Sequence, residues 1–288
     1  MIIRLSKFEA AIVLSVILAL SFISAVSSED KTLTASTDNR TRLLPIIMYH
    51  HITVNEAKAG DYTVTEQEFI SDLQYIKDNG YTTVTIEDIS NYVNGKSDLP
   101  DKPIMITFDD GFESFYSIAY PILKENNMRA VVSVIGSVTE KYSAINDHNI
   151  SYSNMTWSEI NEMRQSGLIE FQNHSYNMHS CKSGERKGIS QLQGESDSQY
   201  RKSLTEDLYK TQKLFEENCG FKPTAIAYPY GAYSKNTLKI VKECGFTCTL
   251  VCEERINKIT IGDSDCLFSL GRYNRPSGIS TEDFFKKL

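Results

Sequence analysis

The chain has 288 residues, of which 41% are apolar and 23% charged, with 15 Gly, 7 Pro and a formal net charge of -7. These proportions exclude a disordered, collagenous or polytopic membrane protein. The balance of 37 Asp+Glu against 30 Lys+Arg, with no long basic run, excludes a nucleic-acid partner, because counterion release needs clustered positive charge.

Arg4 and Lys7 precede a charge-free run from Ala10 to Ser28, closed by Glu29 and Asp30. The run is long for the apolar part of a cleaved signal and just long enough to span a bilayer. Residues 1–28 therefore read either as a signal peptide, cut after a small residue such as Ala25, Ser27 or Ser28, or as a membrane anchor. In both cases the remainder is delivered to the outer side, so the expected localisation is extracytoplasmic, with membrane contact through this segment alone. Residues 29–42 are rich in Ser, Thr, Asp and Asn and read as a linker, which leaves 43–288 as the folded domain.

Within that domain β-type apolar runs occur at Leu44–Tyr49, Thr82–Ile86, Pro103–Phe108, Arg129–Ile135, Leu168–Gln172, Thr224–Tyr228 and Phe246–Val251, with a weaker one at Leu267–Leu270. Helices lie between them. Thr65 with Glu68, Thr156 with Glu159 and Ser203 with Glu206 have capping-box spacing. Asn79-Gly80-Tyr81, Cys219-Gly220-Phe221 and Cys244-Gly245-Phe246 repeat one helix stop, in which Gly takes the left-handed position. Strands alternating with helices imply parallel pairing. Seven or eight such units match an α/β fold of the (β/α) barrel type, a distorted TIM-like barrel, better than an open sheet. The stretch Cys181–Lys202 is polar and without periodicity and reads as a surface loop beside the site that precedes it. Six cysteines allow 15 pairings, of which Cys252 with Cys266 is the first to test. Trp157, just after a helix cap, reads as a core residue, and His148, in a polar loop, as solvated.

The chemistry begins at Thr107-Phe-Asp-Asp-Gly111, directly after an apolar strand. Adjacent buried carboxylates repel, and a metal ion or a proton usually relieves them. His174 and His179 follow the strand Leu168–Gln172. Five residues apart, they share no face of a helix or a strand, so only a loop brings both to one ion. Two imidazoles and one carboxylate make a three-ligand site with an open position, as in catalytic zinc, and imidazole favours Zn, Fe, Co or Ni over Mg. His50, Asp109, Asp110, His174 and Tyr230 all lie within two residues of the C-terminal end of a predicted strand, and in a parallel barrel those ends converge on one face.

Together TFDDG, the histidine pair and Ala227-Tyr-Pro-Tyr-Gly231 resemble the polysaccharide deacetylase family, also called NodB-homology or carbohydrate esterase family 4. TFDDG arises by chance in on the order of one in ten thousand chains of this length. The resemblance covers the chain from Leu43 onward. It implies Asp109 as catalytic base, Asp110, His174 and His179 as ligands of one divalent metal, zinc first with Co, Ni or Fe as alternatives, and Tyr230 as backbone donor to the oxyanion. Three features depart from the common pattern: four residues separate the histidines, Ala227 stands where many members have Arg, and no His follows His179. The branch acting on poly-N-acetylglucosamine shares the longer spacing and takes its acid from the first strand, which points to His50. His51 then reads as a supporting or packing residue. Arg272 or Arg275 is a candidate to replace the Arg missing at 227. The implied activity is removal of N-acetyl groups from a β-linked N-acetylglucosamine polymer, such as poly-N-acetylglucosamine, peptidoglycan or chitin fragments. An O-acetyl esterase on xylan-type polysaccharide and a non-catalytic carbohydrate-binding barrel are the alternatives.

Overall fold

The structure is a computed structural model that describes residues 40–288; residues 1–28, read as signal or anchor, and residues 29–39 lie outside the described residues. No helix among the described residues is long and apolar enough to cross a membrane.

The described residues form twelve strands: β1 Thr41–Leu44, β2 Ile46–Tyr49, β3 His51–Thr53, β4 Thr63–Thr65, β5 Thr82–Thr83, β6 Pro103–Phe108, β7 Ala130–Val134, β8 Ile169–Asn173, β9 Ala225–Ala227, β10 Cys248–Leu250, β11 Asn257–Thr260 and β12 Tyr273–Asn274. The main sheet runs β10-β9-β8-β7-β6-β2-β12, with β5 added on the start of β6, and all its pairings are parallel. Its two edges meet. Leu270 bridges to Leu250 on one side, the Arg272 N–H donates to the Glu253 carbonyl, and the next residues form β12 on β2. Seven strands thus curl into a (β/α) barrel, as the alternating pattern predicts.

Alternate residues along each strand go to different parts of the core, as the pleat requires. Ile104, Ile106 and Phe108 of β6 and Ala130, Val132 and Val134 of β7 pack outward on Phe69, Leu73, Leu123, Ile160 and Met163 of the surrounding helices. Met105, Val131, Ile46, Ala225, Ala227 and Leu250 converge inside, where Ile86, Ile89 and Tyr92 of the helix Ile86–Val93 and Ile259 of β11 complete the cluster. Burying a side chain such as Phe108 stabilises the fold by about 1.5–3 kcal/mol. Ile226 and Tyr228 face a third cluster with Tyr200, Leu204 and Leu208 of the long helix Asp197–Cys219. Trp157 is buried edge-on against Phe215, as expected of a core residue.

The structure changes several local expectations. β1 begins at Thr41, inside the stretch read as linker, because Thr41–Leu44 pairs antiparallel with β11. Pro45 separates β1 from β2, since it donates no hydrogen bond. The weak strand read at Leu267–Leu270 is reduced to one parallel bridge of Leu270 on Leu250, after a 3₁₀ turn at Ser264–Leu267, and the last strand lies at Tyr273–Asn274. Ser203 and Glu206 do not start a helix; the capping box is Ser196 with Gln199, seven residues earlier, so the polar segment ends as irregular chain at 196. The boxes at Thr65/Glu68 and Thr156/Glu159 are formed, and Gly80, Gly220 and Gly245 are all left-handed. All six cysteines are free: Cys252 lines the cavity at the barrel mouth, whereas Cys266 packs beside the inner cluster at the 264–267 turn.

Candidate active site

Six strands deliver side chains to one cavity of about 740 Å³ at their C-terminal ends. His50 follows β2, Asp109 and Asp110 follow β6, His174 follows β8, Tyr230 lies three residues beyond β9, Cys252 two beyond β10, and Asn274 ends β12. His50, His51, Asp109, Asp110, His174, His179 and Tyr230 all line this cavity; of the two arginine candidates, Arg272 touches it through Asp109 and Arg275 lies away from it. A larger groove of about 920 Å³ between the helix Glu66–Asp78 and residues 275–282 contains, of all the candidates, Arg275 alone.

The Asp pair is separated by a backbone reversal. Asp110 (φ 70°) and Gly111 (φ 74°) are both left-handed, and a Cβ on Gly111 would stand 2.9 Å from Val134 Cγ1, so this position requires glycine. The turn is pinned from the segment after residue 146: Asn154 Nδ2 donates to the Asp110 carbonyl at 2.8 Å and the Met155 N–H to the Gly111 carbonyl at 2.9 Å. The two carboxylates consequently face different partners. Arg272, 0% exposed, grips Asp109, 3% exposed, with Nη1 to Oδ1 at 2.8 Å and Nη2 to Oδ2 at 2.7 Å. Its Nε is fixed on the Val251 carbonyl at 3.1 Å. Burial alone would raise the Asp109 carboxyl; the charges of Arg272, His174 and His50 outweigh it and hold the group below its usual range. Arg275, the other candidate, pairs instead with Asp72, where Tyr49 and Thr281 also donate.

Asp110 faces the histidines. His174 Nε2 lies 3.4 Å and His179 Nε2 3.0 Å from Asp110 Oδ1, and these three atoms fall within 4.8 Å of one another. Burial would raise Asp110, but the two imidazoles hold it far below the usual carboxylate range. Each histidine is oriented from behind. The Nδ1 of His174 meets the Ala227 carbonyl at 2.9 Å, and the Nδ1 of His179 meets the Tyr230 hydroxyl at 3.2 Å. The Ala227 carbonyl only accepts, so it places the His174 proton on Nδ1, and both contacts turn the Nε2 atoms toward Asp110, the arrangement of metal-ligating histidines. Asp110 Oδ1 is itself buried without a hydrogen-bond partner, so the donor set fits a divalent ion.

A loop does bring the two histidines together, and its hinge is Ser175 (φ 67°). Asp207, from the helix Asp197–Cys219, accepts the N–H groups of Tyr176 at 2.7 Å and Asn177 at 2.8 Å and so holds the loop between the histidines. Sequence reasoning missed Asp207, which lies 28 residues beyond His179 on a helix face with no motif. It also missed Cys252, which lies one residue past the predicted strand Phe246–Val251, and Asn274, which lies beyond the reach of the weak strand read at Leu267–Leu270 because its own strand, Tyr273–Asn274, gave no apolar run.

Tyr230 is left-handed (φ 58°) between Pro229 and Gly231, with its ring 4.6 Å from the His179 ring. A Cβ on Gly231 would stand 2.8 Å from Cys252 Cβ, which keeps this turn tight against β10. His50 packs edge-on to Tyr62 at 4.9 Å, with Nδ1 buried and unpartnered. Burial lowers its pKa, against the pull of the Asp109 and Asp110 charges. His51 packs on Phe112 at 5.0 Å. His148 is not simply solvated: its Nδ1 contacts the buried Glu159 at 2.7 Å.

A parallel barrel with an arginine-clamped carboxylate beside an Asp-His-His donor set is the frame of a hydrolase acting at the barrel mouth. The polysaccharide deacetylase family model matches residues 96–249, and the chain belongs to that family. The poly-beta-1,6-N-acetyl-D-glucosamine N-deacetylase of Staphylococcus aureus (strain MRSA252) is 28% identical over 229 residues, 79% of this chain and 71% of that protein. YxkH of Bacillus subtilis (strain 168) is 29% identical over 204 residues, 70% of this chain, which spans 62% of that relative's length. A solved de-N-acetylase from Aggregatibacter actinomycetemcomitans superposes with a TM-score of 0.74 at 26% identity, covering 85% of this chain and all of that one.

Proposed function

We propose that this protein is an N-deacetylase of a β-linked N-acetylglucosamine polymer outside the cytoplasm, dependent on one divalent metal, with zinc as first choice. The observation that carries the proposal is the pairing, in one cavity, of Asp109 clamped by Arg272 with the oriented donors of Asp110, His174 and His179. The similarity to the staphylococcal enzyme, whose name gives a β-1,6-linked substrate, favours that polymer over peptidoglycan, chitin or acetylated xylan.

A divalent ion held by Asp110 Oδ1, His174 Nε2 and His179 Nε2 would supply Lewis-acid polarisation of the amide carbonyl and of water. Asp109 is the general base and takes the proton of the attacking water on a carboxylate oxygen; Arg272 keeps that carboxylate ionised and fixed in direction. The backbone N–H of Tyr230 stabilises the oxyanion of the tetrahedral intermediate, while the Tyr230 hydroxyl steadies His179. His50, which lines the same cavity, donates the proton that the departing amine needs. The products are acetate and a free amino sugar, which is cationic at neutral pH. The charge-free run before Ser28 supports export, as signal or anchor, to a polymer at the cell surface.

Replacing Asp109 by Asn tests this assignment. Acetate release from N-acetylglucosamine oligomers should fall by about 10²–10⁴-fold, the usual contribution of a general base, with bound metal unchanged. Wild-type turnover in the Asn variant would overturn it.

A further inference from the structure

Behind the Asp109–Asp110 turn lies a second group of metal-type donors that the reaction does not use. Glu113 follows the turn directly and is tied to the neighbouring segment: its N–H donates to the Ser153 carbonyl at 2.8 Å, and Phe112 bridges to Asn154. Glu159 is the third residue of the helix Trp157–Gln165. Its Oε2 is committed to the Thr156 N–H and hydroxyl at 2.7 and 2.8 Å, which leaves Oε1 facing His148 Nδ1 at 2.7 Å. Glu113 Oε1 accepts from the Ser117 hydroxyl at 2.8 Å. Its Oε2 is buried, has no hydrogen-bond partner and points into the same space, 3.7 Å from His148 Nδ1.

The two glutamate side chains are 2% and 9% exposed, and both pair with the same imidazole, itself 43% exposed. Two carboxylates turned on one imidazole gather negative charge in a space that both glutamates bury, which is costly unless a cation or a proton relieves it. Burial and the Glu159 charge push the Glu113 carboxyl up, against the Ser117 hydrogen bond and the His148 imidazole, and the rise prevails. Donors around a tetrahedral zinc stand about 3.3 Å apart, and the observed 2.7 and 3.7 Å lie on either side of that spacing. The exposed edge of His148 leaves a path for entry and room for water ligands.

We propose that Glu113 Oε2, Glu159 Oε1 and His148 Nδ1 form a second divalent-cation site, distinct from the Asp110–His174–His179 group. Oxygen donors with one imidazole suit Zn²⁺ or Mn²⁺ better than Mg²⁺ or Ca²⁺. An ion there fastens the segment of Asn154 and Met155 to the turn whose carbonyls they bind, so it sets the position of Asp110 without touching substrate.

The test is titration of the chelator-stripped full chain with Zn²⁺ alone, read as bound ions per chain and as thermal midpoint. The wild type should bind two ions. Asp110→Ala should bind one and still be raised in midpoint by zinc, His148→Ala should bind one, and the double variant none. Glu113→Gln, which keeps the Ser117 hydrogen bond, should lose the same ion as His148→Ala and so guards against misfolding of either variant. The proposal is overturned if Asp110→Ala binds no zinc, or if its zinc-dependent rise survives both His148→Ala and Glu113→Gln; the cluster then serves only to tie the two segments together.

Discussion

Replacing Arg272 by Met removes one half of a buried pair and leaves the other in place. With N–O distances of 2.8 and 2.7 Å, the charge centres stand about 4 Å apart, where opposite unit charges attract by about 4 kcal/mol at an effective dielectric of about 20. That agrees with the roughly 3–5 kcal/mol typical when one partner of a buried pair is deleted. Two effects should follow. The thermal midpoint falls, and the acid limb of kcat/KM moves to higher pH, because burial, now unopposed by the guanidinium, pushes Asp109 toward its protonated form. Because the pair holds Asp109 low, its stabilisation is present above the ordinary carboxylate range and is lost as pH falls through the lowered folded value. The midpoint difference between wild type and variant should therefore be full at neutral pH and shrink in acid. Arg272→Lys should recover part of the stability and less of the activity, since an ammonium cannot make the two-pronged contact. The assays are acetate release against pH and thermal denaturation against pH. An unchanged acid limb with an unchanged midpoint in Arg272→Met would refute the reasoning.

Other outcomes follow from the same geometry. Alanine at Asp110 or His174 should abolish turnover and retention of the reactive metal together, and activity surviving either change would sink the ligand assignment. Asp207→Ala frees two backbone N–H groups in the histidine loop; it should cost about 1–3 kcal/mol in stability and about 10–100-fold in metal affinity, and chemical denaturation with metal titration reads both. Tyr230→Phe keeps the backbone donor and loses the His179 contact, so metal affinity should weaken about tenfold or more while rate at saturating metal holds; a rate loss that added metal does not restore would contradict this. His174 is raised above 6.5, because the Asp109 and Asp110 charges outweigh the lowering by burial. Its proton therefore competes with a metal more strongly than that of an ordinary imidazole, and apparent zinc affinity should fall steadily as the pH is lowered. A flat profile would count against that competition.

Much of the frame was legible because it rests on local chemistry. The β6 run was placed residue for residue, since a fully buried parallel strand is a continuous apolar run bounded by a Pro and an Asp. Two of three capping boxes and all three left-handed glycines were legible for the same reason. The third box failed because Ser203 and Glu206 have the right spacing within a helix already under way, and spacing alone cannot tell a start from an interior turn. In the site, strand ends gathered the titratable residues correctly, but partners came from elsewhere in the chain. Arg272 and Arg275 were indistinguishable in sequence; three residues apart, one reaches Asp109 and the other Asp72. Asp207 and the Glu113–His148–Glu159 group were hidden for the same physical reason, since tertiary packing alone brings their members together.

The central claim is tested most directly by acetate release from β-1,6-linked N-acetylglucosamine oligomers with the purified chain, before and after chelator and with Zn²⁺ restored. The account predicts release that chelator abolishes and zinc recovers, and no recovery in Asp109→Asn. Release indifferent to chelator, or absent with every divalent metal although the Asp110–His174–His179 site is filled, would contradict it.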